Sequence, residues 1–456
     1  MREQLPEGLL ITWYGDDFTG SAAVMEVLTF GGLPSVLFLD TPTVDDLAQF
    51  PGVRGIGIAS MARTKSPEWM EANLPAPFSW MKGTTARICH YKTCSTFDSA
   101  PEVGSIGRAA DIGARLFRHP AIPMLVAAPP LRRYQAFGHL FAGAGAGVYR
   151  LDRHPVMARH PVTPMAESDL ARHLAAQTQS RVALVSLEDL AQPDGGAKRI
   201  DTILSAGPAI LSIDTMDEDD LARAGALIWQ NRTHGRFVLG SQGVEYALIA
   251  HFRRRGWLTP ATTSQSLPPV SRLPVVSGSV SPITASQIAH AQAQGFKLVP
   301  LDPTCLLHDA AAGEAEIARV ISAALATLEA GASPLIASAQ GPDDPAVKAF
   351  KAARLRAGVD ESGANARIGA ALGTILATLL DKTGLTRAVV SGGDTSGSVT
   401  RRLGIRALTA RAATTPGAAL FNAHRAAPHQ PLELALKGGQ MGAENLFSVL
   451  RDGTEH

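Results

Sequence analysis

The chain has little of what several classes of protein require. It holds three cysteines, Cys89, Cys94 and Cys305, an odd number that favours reduced thiols over a disulfide scaffold. Lysine and arginine (42) nearly balance aspartate and glutamate (41), so no broad basic surface for nucleic acid is expected. No run of about 18 apolar residues indicates a membrane span, and no signal-peptide pattern opens the chain. We therefore expect a soluble, cytoplasmic protein without nucleic-acid or membrane partners.

Short apolar runs alternate with helical patterns along most of the chain, and 45% of the residues are hydrophobic. Strands that alternate with helices build parallel sheets covered by helices, and 456 residues exceed one typical domain. The polar, proline-rich stretch 259–271 has no periodicity and is interpreted as a linker. We predict an α/β fold with two domains, 1–258 and 272–456, each a mainly parallel sheet flanked by helices.

The predicted elements follow from these patterns. Strands are predicted at 9–14, 35–39, 53–59, 88–93, 124–127, 181–186, 209–213, 237–239, 274–277, 297–300, 334–338, 387–390 and 432–436. Helices are predicted at 22–30, 105–117, 167–178, 217–231, 244–254, 284–294, 314–329, 365–380 and 398–403. No fixed-period repeat is visible.

Two adjacent carboxylates, Asp16 and Asp17, come directly after the first predicted strand. Ligands bind at the carboxyl ends of strands in open α/β sheets. Paired acids there abstract a proton, hold a divalent cation or cap the next helix, and Thr19 or Ser21 could cap that helix equally well. Because neighbouring carboxylates repel each other, we favour a functional role for the pair.

A glycine-rich segment at 391–397, Ser-Gly-Gly-Asp-Thr-Ser-Gly, joins a predicted strand to a helical pattern. Free backbone N–H groups at the start of a helix attract phosphate, and Gly392 and Gly393 let the backbone approach a bulky anion. Asp394 could hold a metal or orient a hydroxyl. Neither this segment nor a similar one at 274–290 matches the Walker A pattern. The phosphates would then be held by backbone amides, serine hydroxyls and Mg²⁺, with Lys437 either an additional charge or a surface lysine.

Six motifs occur in a characteristic order. They are 14–20 (Tyr-Gly-Asp-Asp-Phe-Thr-Gly), 91–99 (Tyr-Lys-Thr-Cys-Ser-Thr-Phe-Asp-Ser), 160–165 (His-Pro-Val-Thr-Pro-Met), 277–282 (Ser-Gly-Ser-Val-Ser-Pro), 391–397 and 436–442 (Leu-Lys-Gly-Gly-Gln-Met-Gly). With them the chain resembles the four-carbon acid sugar kinases from about residue 9 to residue 447. It departs from many relatives at Ala22 and Ala23, where an acidic residue is common, and at Val280, where cysteine is common.

The resemblance implies an N-terminal sugar-acid-binding domain and a C-terminal nucleotide-binding domain, with ATP and Mg²⁺ meeting the substrate at the interface. Members of the family phosphorylate threonate, erythronate or 3-oxo-tetronate, typically on the terminal hydroxyl. Carried over by position, Asp17 is the catalytic base, with Asp16 beside it. The residues expected to contact the nucleotide are Ser277, Ser279, Ser281, Gly392, Gly393, Asp394, Thr395, Gly438 and Gly439, and Asp394 is the expected metal ligand.

A sugar acid carries a carboxylate, so basic residues are expected near the aspartate pair. Lys92 lies at the end of the predicted strand 88–93, just before a polar stretch, where ligand binding is favoured over a lysine that faces solvent. Arg63, Arg132 and Arg133 follow strands, and any of them could clamp a carboxylate through two hydrogen bonds. The predicted substrate contacts include Lys92, Arg63 and Arg133.

Two further residues are predicted to contact the substrate. Asp98 precedes a helix and either caps it or contacts the substrate, and His160 lies in a segment that two prolines stiffen. A metal site at Cys89, His90 and Cys94 is not expected, because alternate strand residues point to opposite faces and the spacing is unlike that of a zinc knuckle.

The leading prediction is an ATP-dependent kinase of a four-carbon acid sugar. The alternative is a non-catalytic regulatory protein that binds a sugar acid and a nucleotide on a kinase scaffold, but such a protein would not need intact Asp16, Asp17 and Asp394. An NAD-dependent oxidoreductase is suggested by fold class alone. A homo-oligomer is compatible with the sequence, which does not fix the oligomeric state.

Overall fold

The computed structural model of the chain describes residues 4–160, 162–259, 267–414, 417–426 and 430–454. The chain divides into two compact units, Met1–Thr262 and Thr263–His456. Most of the predicted linker, 260–266, lies outside the described residues. Leu267, which falls inside the predicted linker, is 2% exposed, and its carbonyl accepts a hydrogen bond from the Thr454 amide at 3.0 Å. Residue 267 therefore already packs as part of the second unit. The domain limits 1–258 and 272–456 stay a prediction.

The first unit alternates strands and helices. Its strands are β1 (Ile11–Gly15), β2 (Ser35–Phe38), β3 (Gly55–Ala59), β4 (Ile88–Lys92), β5 (Ala121–Leu125), β6 (Arg133–Ala136), β7 (His139–Ala144), β8 (Gly147–Arg150), β9 (Val182–Val185), β10 (Ala209–Ile213) and β11 (Phe237–Gly240). Its helices are α1 (Phe18–Phe30), α2 (Val44–Ala48), α3 (Pro67–Asn73), α4 (Pro75–Gly83), α5 (Ile106–Phe117), α6 (Leu170–Ala175), α7 (Leu187–Leu190), α8 (Ala197–Ser205), α9 (Glu218–Asn231) and α10 (Gly243–Arg254).

The main sheet of the first unit runs in the order β2-β3-β1-β4-β11-β5-β10-β9, and each neighbouring pair is parallel. β1 and β4 are buried along their whole length, as expected for strands covered on both faces. Tyr14 of β1 stacks on Tyr91 of β4, and both meet the edge of Phe78 from α4. This aromatic cluster fixes the register of the two central strands, whose carboxyl ends carry the candidate site.

A small antiparallel sheet, β6-β7-β8, was not predicted. Its strands are short and only half-buried, and β7 turns into β8 at Gly145, whose φ is +54°. Glycine-rich segments of this kind have weak strand propensity, so pairing between strands rather than local sequence creates this sheet.

The second unit contains the remaining elements. Its strands are β12 (Val275–Ser277), β13 (Phe296–Pro300), β14 (Ser333–Ala337), β15 (Arg387–Ser391), β16 (Ile405–Ala412), β17 (Leu420–Arg425) and β18 (Leu432–Lys437). Its helices are α11 (Pro282–Ala293), α12 (Ala310–Glu329), α13 (Pro345–Ala357), α14 (Glu361–Thr383), α15 (Gly393–Arg402) and α16 (Leu446–Asp452).

The sheet of the second unit runs β13-β14-β12-β15-β18 in parallel and continues with β17 and β16 in antiparallel pairing. The fold-class prediction, mainly parallel sheets flanked by helices in two domains, is confirmed, although β16 and β17 were not predicted. α14 is long and apolar enough to cross a membrane by length and composition, but just over half of its most apolar window, 56%, is buried inside the unit. A core helix passes the same test.

Helix α15 begins at Gly393, not at residue 398 as predicted. Gly393, Asp394 and Thr395 therefore lie in its first turn and not in a loop, and Gly392 is the N-cap with φ +119°. Glycine, aspartate and threonine have low helix propensity, which hides this start in the sequence.

A buried hydrogen-bonded pair of side chains joins β4 to α10. His90 Nδ1 lies 2.7 Å from Glu245 Oε1, and both side chains are inaccessible to solvent. His90 Nε2 lies 3.0 Å from the carbonyl oxygen of Gly240, to which it can only donate. Nδ1 and Oε1 therefore form a buried hydrogen bond, and each group depends on the other for its partner.

We expect Glu245→Leu to lower the free energy of unfolding of the first unit by about 3 kcal/mol, because it leaves His90 buried without its partner. All five tryptophans lie in this unit, so urea unfolding followed by tryptophan fluorescence reports on it selectively. Glu102→Leu, at an exposed position, is the control. Equal unfolding midpoints for the two variants would contradict a stabilising role for the pair.

Candidate functional site

The carboxyl ends of β1, β3 and β4 bring the predicted residues of the first unit together. Gly15 of β1 stands in register with Ala59 of β3 and Lys92 of β4. The Asp16 amide donates to the Lys92 carbonyl at 2.9 Å, and the Arg63 amide donates to the Asp16 carbonyl at 3.0 Å. Parallel pairing thus places two acids and two bases at one edge of the sheet.

Asp17 lies between two cations. Its carboxylate is 2.8 Å from Arg63 Nη2 and 3.0 Å from Lys92 Nζ, and it also accepts hydrogen bonds from the Thr19 hydroxyl and the Gly20 amide at the start of α1. Burial would raise the pKa of Asp17, but the charges of Arg63 and Lys92 outweigh burial and hold it below its usual range. Asp17 is therefore a carboxylate at neutral pH and caps the helix as well.

Gly20, the last residue of the first motif, leaves room for the lysine. A Cβ atom at this position would lie 1.6 Å from Lys92 Nζ and 2.2 Å from Asp17 Oδ1. Any other residue would displace the ion pair, so the motif requires glycine here for steric reasons.

Asp16 is in a different environment from its neighbour. Its side chain is 1% exposed, and among the described residues neither carboxylate oxygen has a hydrogen-bond partner. Burial raises the pKa of Asp16 to about 7, despite the opposing charges of Arg63 and Lys92. A buried, unsatisfied carboxyl group with a perturbed pKa in the strand-end position is typical of a functional site.

The loop after β4 adds a third acid, Asp98, to the group formed by Asp16, Asp17, Arg63 and Lys92. Asp98 accepts a hydrogen bond from the Thr96 hydroxyl at 2.7 Å and lies 3.4 Å from Arg63 Nη1. Between them Phe97 is fully buried with φ +58°, a left-handed conformation that is uncommon for a bulky residue. Strain of this kind is often held at binding sites. Arg63 thus connects Asp98 to Asp17, because it lies within ion-pair distance of both carboxylates.

The structure distinguishes the arginines that the sequence could not rank. Arg63 is bonded to two carboxylates. Arg132 donates to the backbone carbonyls of the β7–β8 turn and is structural. Arg133 donates through Nη1 to carbonyl oxygens, including that of Gly143 at 3.3 Å. Its buried Nε has no partner among the described residues. Burial lowers the pKa of Arg133, while Cys94 and Asp98 oppose that shift.

His154 is a candidate that the sequence prediction did not include. Its Nδ1 accepts hydrogen bonds from the amides of Val156 and Met157 at 3.2 and 3.1 Å, so Nε2 carries the proton. Within the described parts of the chain, this buried Nε2 donor has no hydrogen-bond partner. Burial lowers the pKa of His154, while the nearby Gly143 carbonyl and Asp98 oppose the shift. The result is a neutral donor close to Arg133.

His160, the predicted contact, makes local hydrogen bonds. Its Nδ1 accepts from the amide of Thr163 at 3.1 Å and pairs with the Thr163 hydroxyl at 3.0 Å. The described contacts do not connect it to Asp17 or Arg63. No sequence signal separates His160 from His154, because each precedes a proline. The predicted role of His160 stays a prediction.

In the second unit the carboxyl ends of β12, β15 and β18 converge. The Gly278 amide donates to the Ser391 carbonyl at 3.1 Å, and the Gly392 amide donates to the Lys437 carbonyl at 2.9 Å. A Cβ atom at Gly278 would lie 2.3 Å from Thr395 Oγ1, so the loop after β12 rests directly on the first turn of α15. The predicted nucleotide contacts on these three segments are therefore close together.

The serine hydroxyls of the first loop are already engaged. Ser281 caps α11 by accepting from the Thr284 amide at 3.0 Å and donates to the Gly439 carbonyl, and the Thr284 hydroxyl donates to Ser279 at 2.9 Å. Helix α15, in contrast, has no side-chain cap. Its first amides, from Gly393 onward, lack partners within the helix. The start of α15 is thus the place in these three segments where uncapped backbone amides could bind an anion.

Asp394 is the predicted metal ligand. It lies exposed in the first turn of α15. Among the described residues no group of three or more histidine, cysteine, aspartate or glutamate side chains could hold a metal ion. Mg²⁺ in nucleotide sites is usually held by one or two carboxylates together with phosphate oxygens, so a single exposed carboxylate next to the anion site fits this mode of binding.

Comparison with known proteins agrees with this division. Residues 11–248 match a sugar-binding N-terminal domain, and residues 275–447 match a nucleotide-binding C-terminal domain. The chain is 47% identical to the 3-oxo-isoapionate kinase of Paraburkholderia graminis, with 98% of this chain and 95% of the relative covered. It is 31% identical to the 3-oxo-tetronate kinase of Cupriavidus necator, with 96% and 95% covered.

A solved structure shares the fold over the whole length. It is that of a Salmonella typhimurium LT2 protein described as a provisional tRNA synthase, which is 26% identical, covers 97% of this chain and 98% of its own, and gives a TM-score of 0.77. The chain belongs to the four-carbon acid sugar kinase family. The prediction of a carbohydrate-acid kinase is confirmed at the level of this class.

The two aspartates should affect stability in opposite directions. The folded-state pKa of Asp16 is raised to about 7. Its stabilising contribution to the free energy of unfolding is therefore present at low pH and is lost as pH rises through 7. The pKa of Asp17 is lowered, so its contribution is present above the usual aspartate pKa. At pH 8 we expect Asp16→Asn to raise the melting temperature of the first unit and Asp17→Asn to lower it.

Tryptophan fluorescence during thermal unfolding at pH 8 and pH 5 measures both effects. At pH 5 Asp16 is protonated in the folded chain but ionised in the unfolded chain, so Asp16→Asn should raise the melting temperature by less than at pH 8, and this difference between the two pH values serves as its internal control. A drop in melting temperature for both variants at pH 8 would contradict the assigned protonation of Asp16.

Proposed function

We propose that the protein is an ATP-dependent kinase that phosphorylates the terminal hydroxyl of a short 3-oxo sugar acid. The observation that carries the proposal is the Asp17 carboxylate held between Arg63 and Lys92 at the strand ends of the first unit. The relatives named above are kinases of 3-oxo acids, which favours this class over threonate and erythronate. 3-Oxo-isoapionate is the first candidate, because the relative of that name shares 47% identity over almost the whole chain.

The substrate carboxylate is proposed to bind at Arg133 and His154. Both present a buried N–H group that lacks a partner among the described residues, and an unsatisfied buried donor costs about 1–3 kcal/mol until it is paired. An anionic oxygen satisfies both donors. Arg63 is less available, since two carboxylates already neutralise it.

Asp17 is proposed as the base for the hydroxyl group. At 13% exposure its side chain is the more accessible of the two aspartates, and it is ionised. Its lowered pKa makes it a weak proton acceptor, but phosphoryl transfer depends mainly on positioning and on neutralising charge. As the hydroxyl oxygen bonds to the γ-phosphorus, the bond from phosphorus to ADP breaks and the hydroxyl proton passes to Asp17. Asp16 is the residue next to Asp17 in the chain, and its higher pKa makes it the stronger proton acceptor of the two.

ATP is proposed to bind the second unit with its phosphates at the start of α15. The first-turn amides of Gly393, Asp394 and Thr395 supply donors and the positive end of the helix dipole. Asp394 would hold Mg²⁺ together with the phosphates, and the ion would neutralise the charge that develops on the transferred phosphoryl group.

An ADP-release assay tests the proposed function. With ATP and Mg²⁺ we expect turnover with 3-oxo-isoapionate, weaker turnover with 3-oxo-tetronate, and little with threonate or erythronate. Asp17→Asn should lower kcat by about 10²–10⁴-fold, the range for loss of a general base, while ATP still binds. Absence of ADP release with every acid, or near-normal turnover by Asp17→Asn, would overturn the proposal or the assignment of the base.

Arg133→Gln tests the carboxylate site. Loss of a charge-assisted hydrogen bond should raise KM for the sugar acid by about 10–100-fold and leave KM for ATP unchanged. Arg153→Gln, at an exposed position of the same unit, should change neither constant. An unchanged sugar-acid KM in Arg133→Gln would move the carboxylate to another cation, with Arg63 the next to test.

A further inference from the structure

Lys437, the last residue of β18, is buried under the loops of the second unit. Its side chain is 1% exposed, so the alternative of a surface lysine is wrong. Nζ donates to Thr284 Oγ1 at 2.8 Å and to Ser391 Oγ at 3.2 Å. Both acceptors are neutral hydroxyls on the segments that surround the anion site, the start of α11 and the end of β15. The ammonium group is therefore hydrogen-bonded but not neutralised.

No carboxylate of the described residues lies within ion-pair distance of Lys437. Among the described residues, the charged side chains toward the other end of this sheet face are Arg387 of β15, Glu433 of β18 and Arg411 of β16. Glu433 pairs with Arg387 at 2.6 Å and with Arg411 at 3.3 Å.

The helices around the lysine provide no counter-charge either. Helix α11, which covers the lysine, contains no acidic residue, and its one titratable side chain, His290, lies in its last turn. On α15 the acidic residue is Asp394, which is exposed. On α16 Arg451 and Asp452 pair with each other. β17 contributes His424, bonded to Thr409.

We propose that Lys437 is the counter-charge for the nucleotide phosphates and that it takes up its proton as the nucleotide binds. The inference rests on the proposed use of ATP. It adds a titratable positive charge, which the glycines and backbone amides of this site do not provide. An ammonium buried without an anion is costly. The Gly392 amide, which donates to the Lys437 carbonyl, ties the lysine to the N-cap of α15. Phosphate at that helix start would supply the missing negative charge.

Proton uptake follows from the lowered pKa of Lys437 in the free protein. Burial lowers the pKa of Lys437 to about 7, so the free protein releases this proton near neutral pH, far below the usual range for a lysine. Nearby phosphate favours the charged form and raises the pKa. Binding is then coupled to protonation, and nucleotide affinity should fall about tenfold per pH unit above pH 7.

A purely structural role gives a different expectation. Lys437 joins β18 to Thr284 and Ser391, and a neutral side chain of similar reach could preserve those bonds. In that case nucleotide binding would release or take up no proton at this position. Proton counting therefore separates a charge role from a packing role.

Titration calorimetry of the full chain with the β,γ-imido analogue of ATP and Mg²⁺ tests the proposal. At pH 8, in buffers of different ionisation enthalpy, we expect uptake of about one proton per nucleotide. The same titration of the Lys437→Gln variant measures any proton that the analogue itself exchanges, and the difference between the two proteins counts the proton at Lys437. Binding without proton uptake would overturn the role of Lys437 and leave the proposed kinase function intact. Absence of binding would overturn both.

Lys437→Gln assigns the proton to this residue. It keeps hydrogen-bonding groups near Thr284 and Ser391 but cannot titrate. We expect uptake to vanish, affinity at pH 7 to fall by about 10–100-fold, and its dependence on pH to flatten. Lys351→Gln, at an exposed position of the same unit, should match the unmodified chain. Unchanged uptake in a folded Lys437→Gln variant would overturn the assignment, and if that variant fails to fold, the proton count of the unmodified chain still decides.

Discussion

The Asp17 carboxylate neutralises two cations that would otherwise be buried at the strand ends of the first unit. Because Lys92 and Arg63 both bond to it, its removal would leave the buried Lys92 without a carboxylate partner and Arg63 with Asp98 alone, which is far costlier than the loss of one hydrogen bond. The other features of the site depend on this arrangement. Gly20 must lack a side chain where Lys92 enters, and the strained loop at Phe97 delivers Asp98 to the second side of Arg63.

The two units treat buried charge in opposite ways. At the carboxyl ends of β1, β3 and β4 in the first unit, acids and bases neutralise each other before any ligand binds, with Asp16 as the group left over. In the second unit Lys437 is surrounded by hydroxyls and has no acid beside it. Charged groups that already pair with each other can orient a ligand without a large change in their own energy. A buried cation without an anion, in contrast, is stabilised when an anionic ligand binds beside it. This difference suits a sugar acid that must be positioned and a polyphosphate that must be held.

The sequence was sufficient wherever one local pattern determined the result. The alternation of apolar runs predicted the parallel strands, and the contiguous motifs predicted Asp16, Asp17 and Lys92, which the register of β1 and β4 then placed side by side. The sequence was insufficient where contacts between distant segments determine the structure. The β6-β7-β8 sheet arises from pairing between weak strands, and α15 begins among poor helix formers. The burial of Lys437 and the free Nε2 of His154 depend on neighbours far away in the sequence.

Asp16 and Lys437 both have a pKa of about 7, one in each unit. As pH rises, Asp16 gains a negative charge and Lys437 loses a positive one, so each unit becomes more negative by the same amount. Both proposed substrates are anions, and both therefore bind more weakly to the deprotonated protein. The two effects have separate readouts, because under the proposed function Asp16 would act on sugar-acid binding and Lys437 on nucleotide binding. A fall in activity above pH 7 that appears in only one of the two KM values would then identify the unit that is responsible.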